Sequence, residues 1–248
     1  KAHIDSFISA SGKEPFSRRV VLDTTEKEWG TNAEEMIRDQ AIPVVRIGLT
    51  DLRESRIDWT IFEARGEIVL SAKKSLLDHQ KDALADVSKG LAVADRGKMI
   101  MACGTGKTFT SLKIAEAIAG KGKRVLFMVP SLALMSQTVR EWTNDTETPI
   151  RAFAVCSDAH VGKRRKNADD IAEIEIHDLA FPATTDPVKV AEKAGEDDPE
   201  RMTVIFSTYQ SIVTLSRAQE AGLPEFDLII CDEAHRTTGA TRDGEEES

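Results

Sequence analysis

Five consecutive residues have the types and the order that hold nucleotide phosphates in proteins: Gly104, Thr105, Gly106, Lys107 and Thr108. Glycines allow backbone N–H groups to turn inward around phosphate oxygens, and a helix that begins in the same loop adds the positive end of its dipole. The Lys107 ammonium would then reach the β- and γ-phosphates, and the Thr108 hydroxyl would bind Mg²⁺. The run departs from the usual pattern at Met101, where a glycine or alanine is expected. These residues predict a phosphate-binding loop.

Two adjacent carboxylates, Asp232 and Glu233, follow the apolar run Leu228–Cys231. Parallel α/β sheets place their ligands at the carboxyl ends of the strands, which is where these two side chains would stand. We predict that Asp232 holds Mg²⁺ through water and that Glu233 orients and deprotonates an attacking water molecule. With Lys107, they form the predicted catalytic set. Asp-Glu-Ala-His alone is a weak motif, but it becomes specific downstream of a phosphate loop and at the end of such a strand.

The order of the predicted elements brings both motifs to one edge of a sheet. Apolar runs predict strands, and helical spacing or capping residues predict helices. The predicted strands are 19–23, 43–47, 98–102, 124–129, 151–156, 203–207 and 227–231, and the predicted helices are 4–8, 31–37, 82–89, 108–119 and 131–142, with another starting at 184–187. Apolar strands that alternate with helices favour an α/β fold with a parallel sheet buried on both faces.

Composition limits the remaining classes of protein. The 248 residues carry a net charge of −9, which gives no support to nucleic-acid binding. The dense basic cluster Lys163–Lys166 is either a solvated loop beside acidic residues or a DNA contact. The three cysteines form no C-x-x-C pair, so they indicate neither a zinc site nor a disulfide framework. No apolar run approaches the roughly 20 residues of a membrane span, and we expect a cytoplasmic protein and a fragment of a longer chain.

The phosphate loop together with Asp-Glu-Ala-His at 232–235 resembles motifs I and II of superfamily 2 helicases. Residues 76–80 resemble the adenine-recognition motif of that family, residues 129–137 resemble motif Ia, and residues 207–210 resemble motif Ib. The resemblance implies a RecA-like sheet with ATP and Mg²⁺ as cofactors and a second RecA-like lobe as partner. It also implies individual roles: Gln80 would bind adenine, Ser131, Gln137, Ser207 and Thr208 would contact a nucleic-acid strand, and His235 would couple the ATP site to the second lobe.

Several of these assignments have a simpler alternative. Gln80 could be a surface residue at a helix start, Ser131 could act only as an N-cap, and Thr208 could be only a strand-end residue. Tyr209, the sole tyrosine, could pack rather than stack on a base.

The Asp-Glu-Ala-His-Arg-Thr-Thr-Gly sequence at 232–239 is more similar to the translocases of restriction enzymes than to RNA helicases. Residues 7–52 also resemble the C-terminal part of an Mrr-like endonuclease domain, and this order of units is similar to that of type ISP restriction-modification enzymes. The predicted organisation is therefore a partial α/β nuclease-like unit at 1–57, a connector at 58–75, a first RecA-like ATPase lobe at 76–242 and a polar tail at 243–248. Asp5 and Asp23 receive no catalytic role, because the nuclease motif of that family lies upstream.

Three hypotheses for function follow. The first is the ATP-binding lobe of a DNA translocase that acts on duplex DNA as the motor of a restriction-modification enzyme. The second is the motor lobe of another superfamily 2 helicase, acting on RNA or in DNA repair. The third is a nucleotide-gated docking module without turnover. Under the first, the isolated chain should bind nucleotide but hydrolyse it poorly, because the second lobe supplies arginines worth about 10³ to 10⁵ in rate.

Overall fold

The computed structural model describes residues 2–12, 16, 19–25, 29, 36–37, 42, 44–156, 183–184 and 186–234. The described elements, in chain order, are α1 (Ala2–Ser11), β1 (Arg19–Asp23), β2 (Val44–Gly48), α2 (Leu49–Arg53), α3 (Trp59–Arg65), α4 (Asp78–Leu91), α5 (Lys107–Ile118), β3 (Arg124–Val129), α6 (Leu132–Asp145), β4 (Ile150–Val155), β5 (Ala183–Thr184), α7 (Pro187–Gly195), β6 (Met202–Thr208), a 3₁₀ turn (Tyr209–Ser211), α8 (Ile212–Glu220) and β7 (Leu228–Cys231).

The N-terminal unit contains a two-stranded parallel sheet. β1 pairs with β2 from Arg19 opposite Val44 to Asp23 opposite Gly48, as the predicted alternation of helix and strand required. Asp23 is buried and accepts hydrogen bonds from the Trp29 indole and from Arg46. Asp23 therefore serves as a structural ion-pair partner in this unit. The predicted N-cap of a helix at 31–37 lies outside the described residues.

The second sheet has five parallel strands in the order β5-β4-β6-β3-β7. β6 is buried along its whole length, and β3 is buried at every residue except Arg124. Continuous apolar strands of this kind are expected in a parallel sheet with both faces covered. The sheet aligns the carboxyl ends of β3, β6 and β7, which carry the motif residues 131, 207–208 and 232–233.

Helices cover both faces of this sheet. On one face, α5 and α6 pack Leu112, Met135 and Trp142 against Phe127 and Phe206. On the other face, α7 and α8 pack against alternate strand residues such as Leu126, Met128 and Ile205. Successive side chains of a strand point to opposite faces, so β3 contributes to both clusters. The predicted α/β fold with helices on both faces is confirmed.

Capping residues begin two of these helices where the sequence indicated. The Ser131 hydroxyl accepts a hydrogen bond from the Leu134 N–H at the start of α6. Asp186 accepts from two backbone N–H groups of α7, with Pro187 in the first turn. Both arrangements satisfy amide donors that the helix leaves unpaired at its N-terminus.

One predicted strand is wrong. Residues 98–102 pair with no strand in the part of the chain that the structure describes, and Ile100 is 85% exposed. An apolar run becomes a strand only where a neighbouring strand offers free N–H and C=O groups. Within the five-stranded sheet, β4, β6 and β3 are paired on both sides, so only the outer edges of β5 and β7 are open. The phosphate loop is therefore preceded by an unpaired segment.

Three further predictions fall outside the described residues. They are the basic cluster at 163–166, the coupling role of His235 and the polar tail at 243–248. Among the helices that the structure describes, none is both long and apolar enough to cross a membrane.

Candidate nucleotide site

The phosphate loop depends on glycine at two positions of left-handed backbone. Gly104 has φ +76° and Gly106 has φ +80°, and Gly106 is the N-cap of α5. Residues with a Cβ adopt this region at a cost, whereas glycine does not. The Thr105 hydroxyl donates to the Ala102 carbonyl at 2.7 Å and closes the turn. The loop thus leads directly into the N-terminus of a 12-residue helix, the arrangement that the sequence predicted for binding phosphates.

Gln80 is buried against this loop rather than exposed at a helix start. Its Nε2 donates to the Thr105 carbonyl at 2.9 Å, and its Oε1 accepts from the Leu77 N–H at 3.0 Å. A Cβ on Gly106 would lie 2.5 Å from the same Nε2. His79, to which the sequence assigned no role, lies with Nε2 3.1 Å from the Thr105 carbonyl. Both side chains therefore fix the loop, and adenine binding by Gln80 stays a prediction.

Asp232 and Glu233 form the turn that follows β7. The Asp232 N–H donates to the Met128 carbonyl of β3, and the Glu233 N–H donates to Asp232 Oδ1 at 3.0 Å. Glu233 has φ +52°. Among the described residues, it is the one non-glycine residue with left-handed backbone. A strained conformation of this kind persists only where the surroundings enforce it, and it is common at functional sites.

Burial and neighbouring charges shift the pKa values of Asp232 and Lys107 at this turn. Burial, followed by the charge of Glu233, raises the pKa of Asp232 above its ordinary value. The hydrogen bond and the charge of Glu233 raise the pKa of Lys107, which therefore stays protonated at neutral pH. The two motifs are thus close enough to influence each other, although 126 residues separate them in the chain.

The structure brings the predicted catalytic set together. Lys107 Nζ lies 3.3 Å from Glu233 Oε1, and Asp232 stands beside them at the end of β7. The described residues hold no cluster of three or more His, Cys, Asp or Glu side chains that could bind a metal by themselves. One carboxylate and the Thr108 hydroxyl fit Mg²⁺, which keeps most of its water ligands and takes the others from phosphate.

α5 is anchored where it leaves the loop. The Thr108 carbonyl accepts from the Trp142 indole N–H at 3.2 Å and from the Ser111 hydroxyl at 2.7 Å. Trp142 is fully buried at the centre of one core cluster. The start of α5, and with it Lys107 and Thr108, is therefore held against the core by α6.

The predicted nucleic-acid contacts lie along the same edge of the sheet. Ser131 caps α6, and Gln137 is exposed one turn further on, donating to Glu141 at 2.9 Å. Ser207 and Thr208 are buried, with the Ser207 hydroxyl on the Thr208 carbonyl and the Thr208 hydroxyl 2.9 Å from that of Ser211. The hydroxyls of β6 are thus engaged within the fold, and the contact of these four residues with DNA stays a prediction.

Two family models match successive parts of the chain. A model described as "Type III restriction enzyme, res subunit" matches residues 73–245, and one described as "Restriction endonuclease" matches residues 1–69. The comparison with curated proteins gives no match.

Two solved structures have the same fold. The ATP-dependent type ISP restriction-modification enzyme LlaBIII bound to DNA is 40% identical over 97% of this chain, with a TM-score of 0.82. A nuclease-deletion mutant of the type ISP enzyme LlaGI, in complex with a DNA substrate mimic, is 43% identical over 65%, with a TM-score of 0.53. The chain spans 16% and 15% of these two proteins. The predicted RecA-like fold and the resemblance to type ISP enzymes with an Mrr-like N-terminus are confirmed. Because the res-subunit model matches well over half of its 248 residues, the chain belongs to the restriction-enzyme family of the type III res subunit.

Proposed function

We propose that this chain is the ATP-binding lobe of a DNA translocase, the motor of a restriction-modification enzyme that acts on duplex DNA. The observation that carries the proposal is the convergence of the phosphate loop and the Asp232–Glu233 turn, with Lys107 and Glu233 in contact. The similarity to LlaBIII and LlaGI, whose structures contain DNA or a DNA mimic, supports DNA as the substrate. Residues 73–245, rather than the endonuclease-like part, carry this site.

Each group at the site has one role in this proposal. The N–H groups of Gly104, Thr105 and Gly106 and the dipole of α5 would hold the phosphates, while Lys107 would bind the two outer ones. Thr108 and Asp232 would hold Mg²⁺, which supplies the divalent charge that neutralises phosphate oxygens. Glu233 would orient the attacking water and accept its proton. Gln80 would both fix the loop and meet the adenine ring.

In P-loop nucleotide hydrolases, an arginine supplied from a second unit can raise the rate of hydrolysis by about 10³ to 10⁵. We therefore propose that a second RecA-like lobe completes the site and that closure of the two lobes moves the protein along DNA. The residues at 131–137 and 207–208 lie on the edge that would face the nucleic acid. Coupling by His235 belongs to the same proposal.

Nucleotide binding is the direct test. A fluorescent ATP analogue with Mg²⁺ should bind this chain and should lose at least about tenfold in affinity when Lys107 is changed to Ala, because the ammonium–phosphate pair is lost. Lys121→Ala is the matched control, since Lys121 lies beyond the other end of α5 and pairs with Glu200 on the surface. Equal affinity for wild type and Lys107→Ala would contradict the assignment of the loop.

Turnover is tested in the full-length protein that contains this chain. Duplex DNA should stimulate its ATP hydrolysis, and Glu233→Gln should remove the stimulated turnover. Stimulation by single-stranded RNA but not by duplex DNA would favour another superfamily 2 motor. Full turnover-dependent function in the Glu233→Gln variant would favour a docking module without hydrolysis.

A further inference from the structure

Tyr209 connects the motif residues at the end of β6 to the Asp232–Glu233 turn after β7. It follows β6 directly, after Ser207 and Thr208, and its hydroxyl donates to the Asp232 carbonyl at 2.7 Å. The Cys231 thiol lies within hydrogen-bonding reach of the same hydroxyl. A side chain next to the predicted DNA contacts thus holds the backbone of the predicted metal ligand.

The hydrogen bond matters because, together with the bond to β3, it fixes the two peptide groups on either side of Asp232. The Asp232 N–H is bound to the Met128 carbonyl of β3 at 2.9 Å, and the Asp232 carbonyl is bound by Tyr209. The next residue is Glu233, with φ +52° and its N–H on Asp232 Oδ1. The carboxylate of Glu233 therefore leaves the backbone in a direction that depends on how these peptide groups are held.

The other end of Tyr209 is tied to β6. Thr208 and Ser211 flank it and are joined through their hydroxyls at 2.9 Å, and both are buried. The Tyr209 ring packs against the core cluster that contains Leu126 and Met128 of β3. A change at the carboxyl end of β6 would therefore be carried to the Asp232–Glu233 turn through a short rigid path rather than through a mobile loop.

The Tyr209 donor is held in place at both ends, because its ring packs against the core and its backbone lies in the 3₁₀ turn at 209–211.

We propose that Tyr209 is a positioning residue that couples the nucleic-acid edge at 207–208 to the Asp232–Glu233 turn, so that DNA binding sets the orientation of Glu233. The proposal rests on the proposed function of the chain as a DNA-dependent ATPase lobe. It assigns to the Tyr209 hydroxyl a role in the stimulation of hydrolysis rather than in contact with DNA bases.

The test uses the full-length protein that contains this chain, with steady-state ATP hydrolysis measured with and without duplex DNA. Tyr209→Phe removes the hydroxyl and keeps the ring, whereas Tyr209→Leu removes both. Ser88→Ala is the control, because it deletes a hydroxyl that donates within α4 at 2.7 Å on an exposed part of the helix. Thermal unfolding of each variant reports whether the fold is retained.

The expected result is a fall of about tenfold in the stimulation ratio, kcat with DNA over kcat without DNA, for Tyr209→Phe, which corresponds to the loss of one well-placed hydrogen bond. The KM for ATP should stay within about twofold of wild type, since the phosphate loop is untouched. Ser88→Ala should behave as wild type.

Two results would overturn the proposal, and they are distinguishable. A wild-type protein without DNA-stimulated hydrolysis removes the proposed function, and the coupling role with it. A stimulated wild type with an equal ratio in Tyr209→Phe leaves the proposed function standing and removes only the role of the hydroxyl. In that case a loss confined to Tyr209→Leu would assign Tyr209 to packing.

Discussion

The Lys107 ammonium lies 3.3 Å from the Glu233 carboxylate, so the phosphate-loop cation and the predicted catalytic base are paired with each other. Both side chains are about one third exposed, at 31% and 27%, which leaves the pair open to an incoming anion. A bound phosphate and the Glu233 carboxylate would compete for the same ammonium. The Glu233 carboxylate thus balances the Lys107 charge until nucleotide binds, and binding must separate the pair.

Glu233→Gln should therefore separate binding from hydrolysis. Removing the competing charge should leave the affinity for a fluorescent ATP analogue equal to wild type or up to about tenfold tighter, because the Lys107 ammonium no longer has to leave a carboxylate. DNA-stimulated hydrolysis in the full-length protein should fall by at least about 10², since the general base is gone. Equilibrium binding and steady-state turnover measure the two effects.

The matched control for this prediction is Glu200→Gln, which removes the same charge from the surface. The Glu200 side chain is 81% exposed and pairs with Lys121. This control should change neither quantity. A Glu233→Gln variant that binds the analogue at least tenfold more weakly would show that Glu233 supports the loop instead of competing for Lys107.

The two left-handed glycines of the loop should differ in their tolerance of a side chain. In Gly104→Ala the new Cβ meets nothing within 4 Å, so only backbone strain of about 1 kcal/mol is expected. In Gly106→Ala the Cβ would also lie 2.5 Å from the Gln80 amide, so this change should lower the free energy of unfolding by at least about 1 kcal/mol more than Gly104→Ala does. Urea unfolding of the chain measures both.

Adding Gln80→Ala to Gly106→Ala separates the effect of the Gln80 contact from that of backbone strain at position 106. In the double variant with Gly106→Ala, part of the excess cost should disappear, because the opposing amide is removed. Strict additivity of the two single changes would mean that the Gln80 contact does not limit position 106.

The sequence predicted those parts of the site that depend on local residue types. Glycine spacing, the helix that begins at Lys107 and the carboxylates at the end of an apolar strand all follow from nearest neighbours in the chain. The caps at Ser131 and Asp186 were predictable for the same reason. Such features need no knowledge of which strands lie side by side.

What could not be predicted depends on neighbours that are distant in the chain. Residues 98–102 have the composition of a strand but pair with no described strand, although β5 and β7 each have an open edge. The donors to Thr105 and to the Asp232 carbonyl come from Gln80 and Tyr209, 25 and 23 residues away, and no periodic pattern encodes them. The sequence indicated Gln80 only as an adenine contact or a surface residue, and its role in fixing the loop comes from the structure alone.

A partly buried carboxylate, Glu116, should make the stability of the chain depend on pH. It is 10% exposed and accepts hydrogen bonds from Lys113, from the Thr146 hydroxyl and from the Glu147 and Thr148 N–H groups. Burial alone would raise the pKa of Glu116, but the Lys113 bond and the other donors lower it below the ordinary value of 4.5. The charged form is therefore the one that stabilises the fold.

Glu116→Gln should lower the free energy of unfolding by about 2–3 kcal/mol near neutral pH, since it removes the carboxylate charge that pairs with Lys113 and accepts from two backbone N–H groups. A lowered folded-state pKa stabilises above the unfolded-state pKa and loses that effect as pH falls through the folded-state value. The difference between wild type and variant should thus be full above about pH 5 and shrink below about pH 4. Urea titrations across this range measure it, and a difference independent of pH would contradict the assignment.

The N-terminal unit is held against α6 by Arg140. Its Nη1 lies 3.1 Å from Asp51 Oδ1 and its Nε lies 3.1 Å from Glu54 Oε2, while Asn144 donates to the Glu54 carbonyl. Asp51 also accepts from the Gly48 N–H with its other oxygen. The contact joins the region that matches the endonuclease model to the region that matches the res-subunit model.

Arg140→Ala should therefore loosen the docking of residues 44–54 without disturbing the nucleotide site. Because the Arg140 and Asp51 side chains are only 22% and 17% exposed, we expect the free energy of unfolding of this segment to fall by about 1–2 kcal/mol. This is more than an exposed surface pair contributes. Hydrogen exchange should show faster exchange in residues 44–54, and ATP-analogue affinity should be unchanged. Lys81→Ala, which breaks the exposed pair with Asp78, is the control and should leave exchange in this segment as in wild type. Unchanged protection of residues 44–54 in Arg140→Ala would mean that apolar contacts alone hold the N-terminal unit in place.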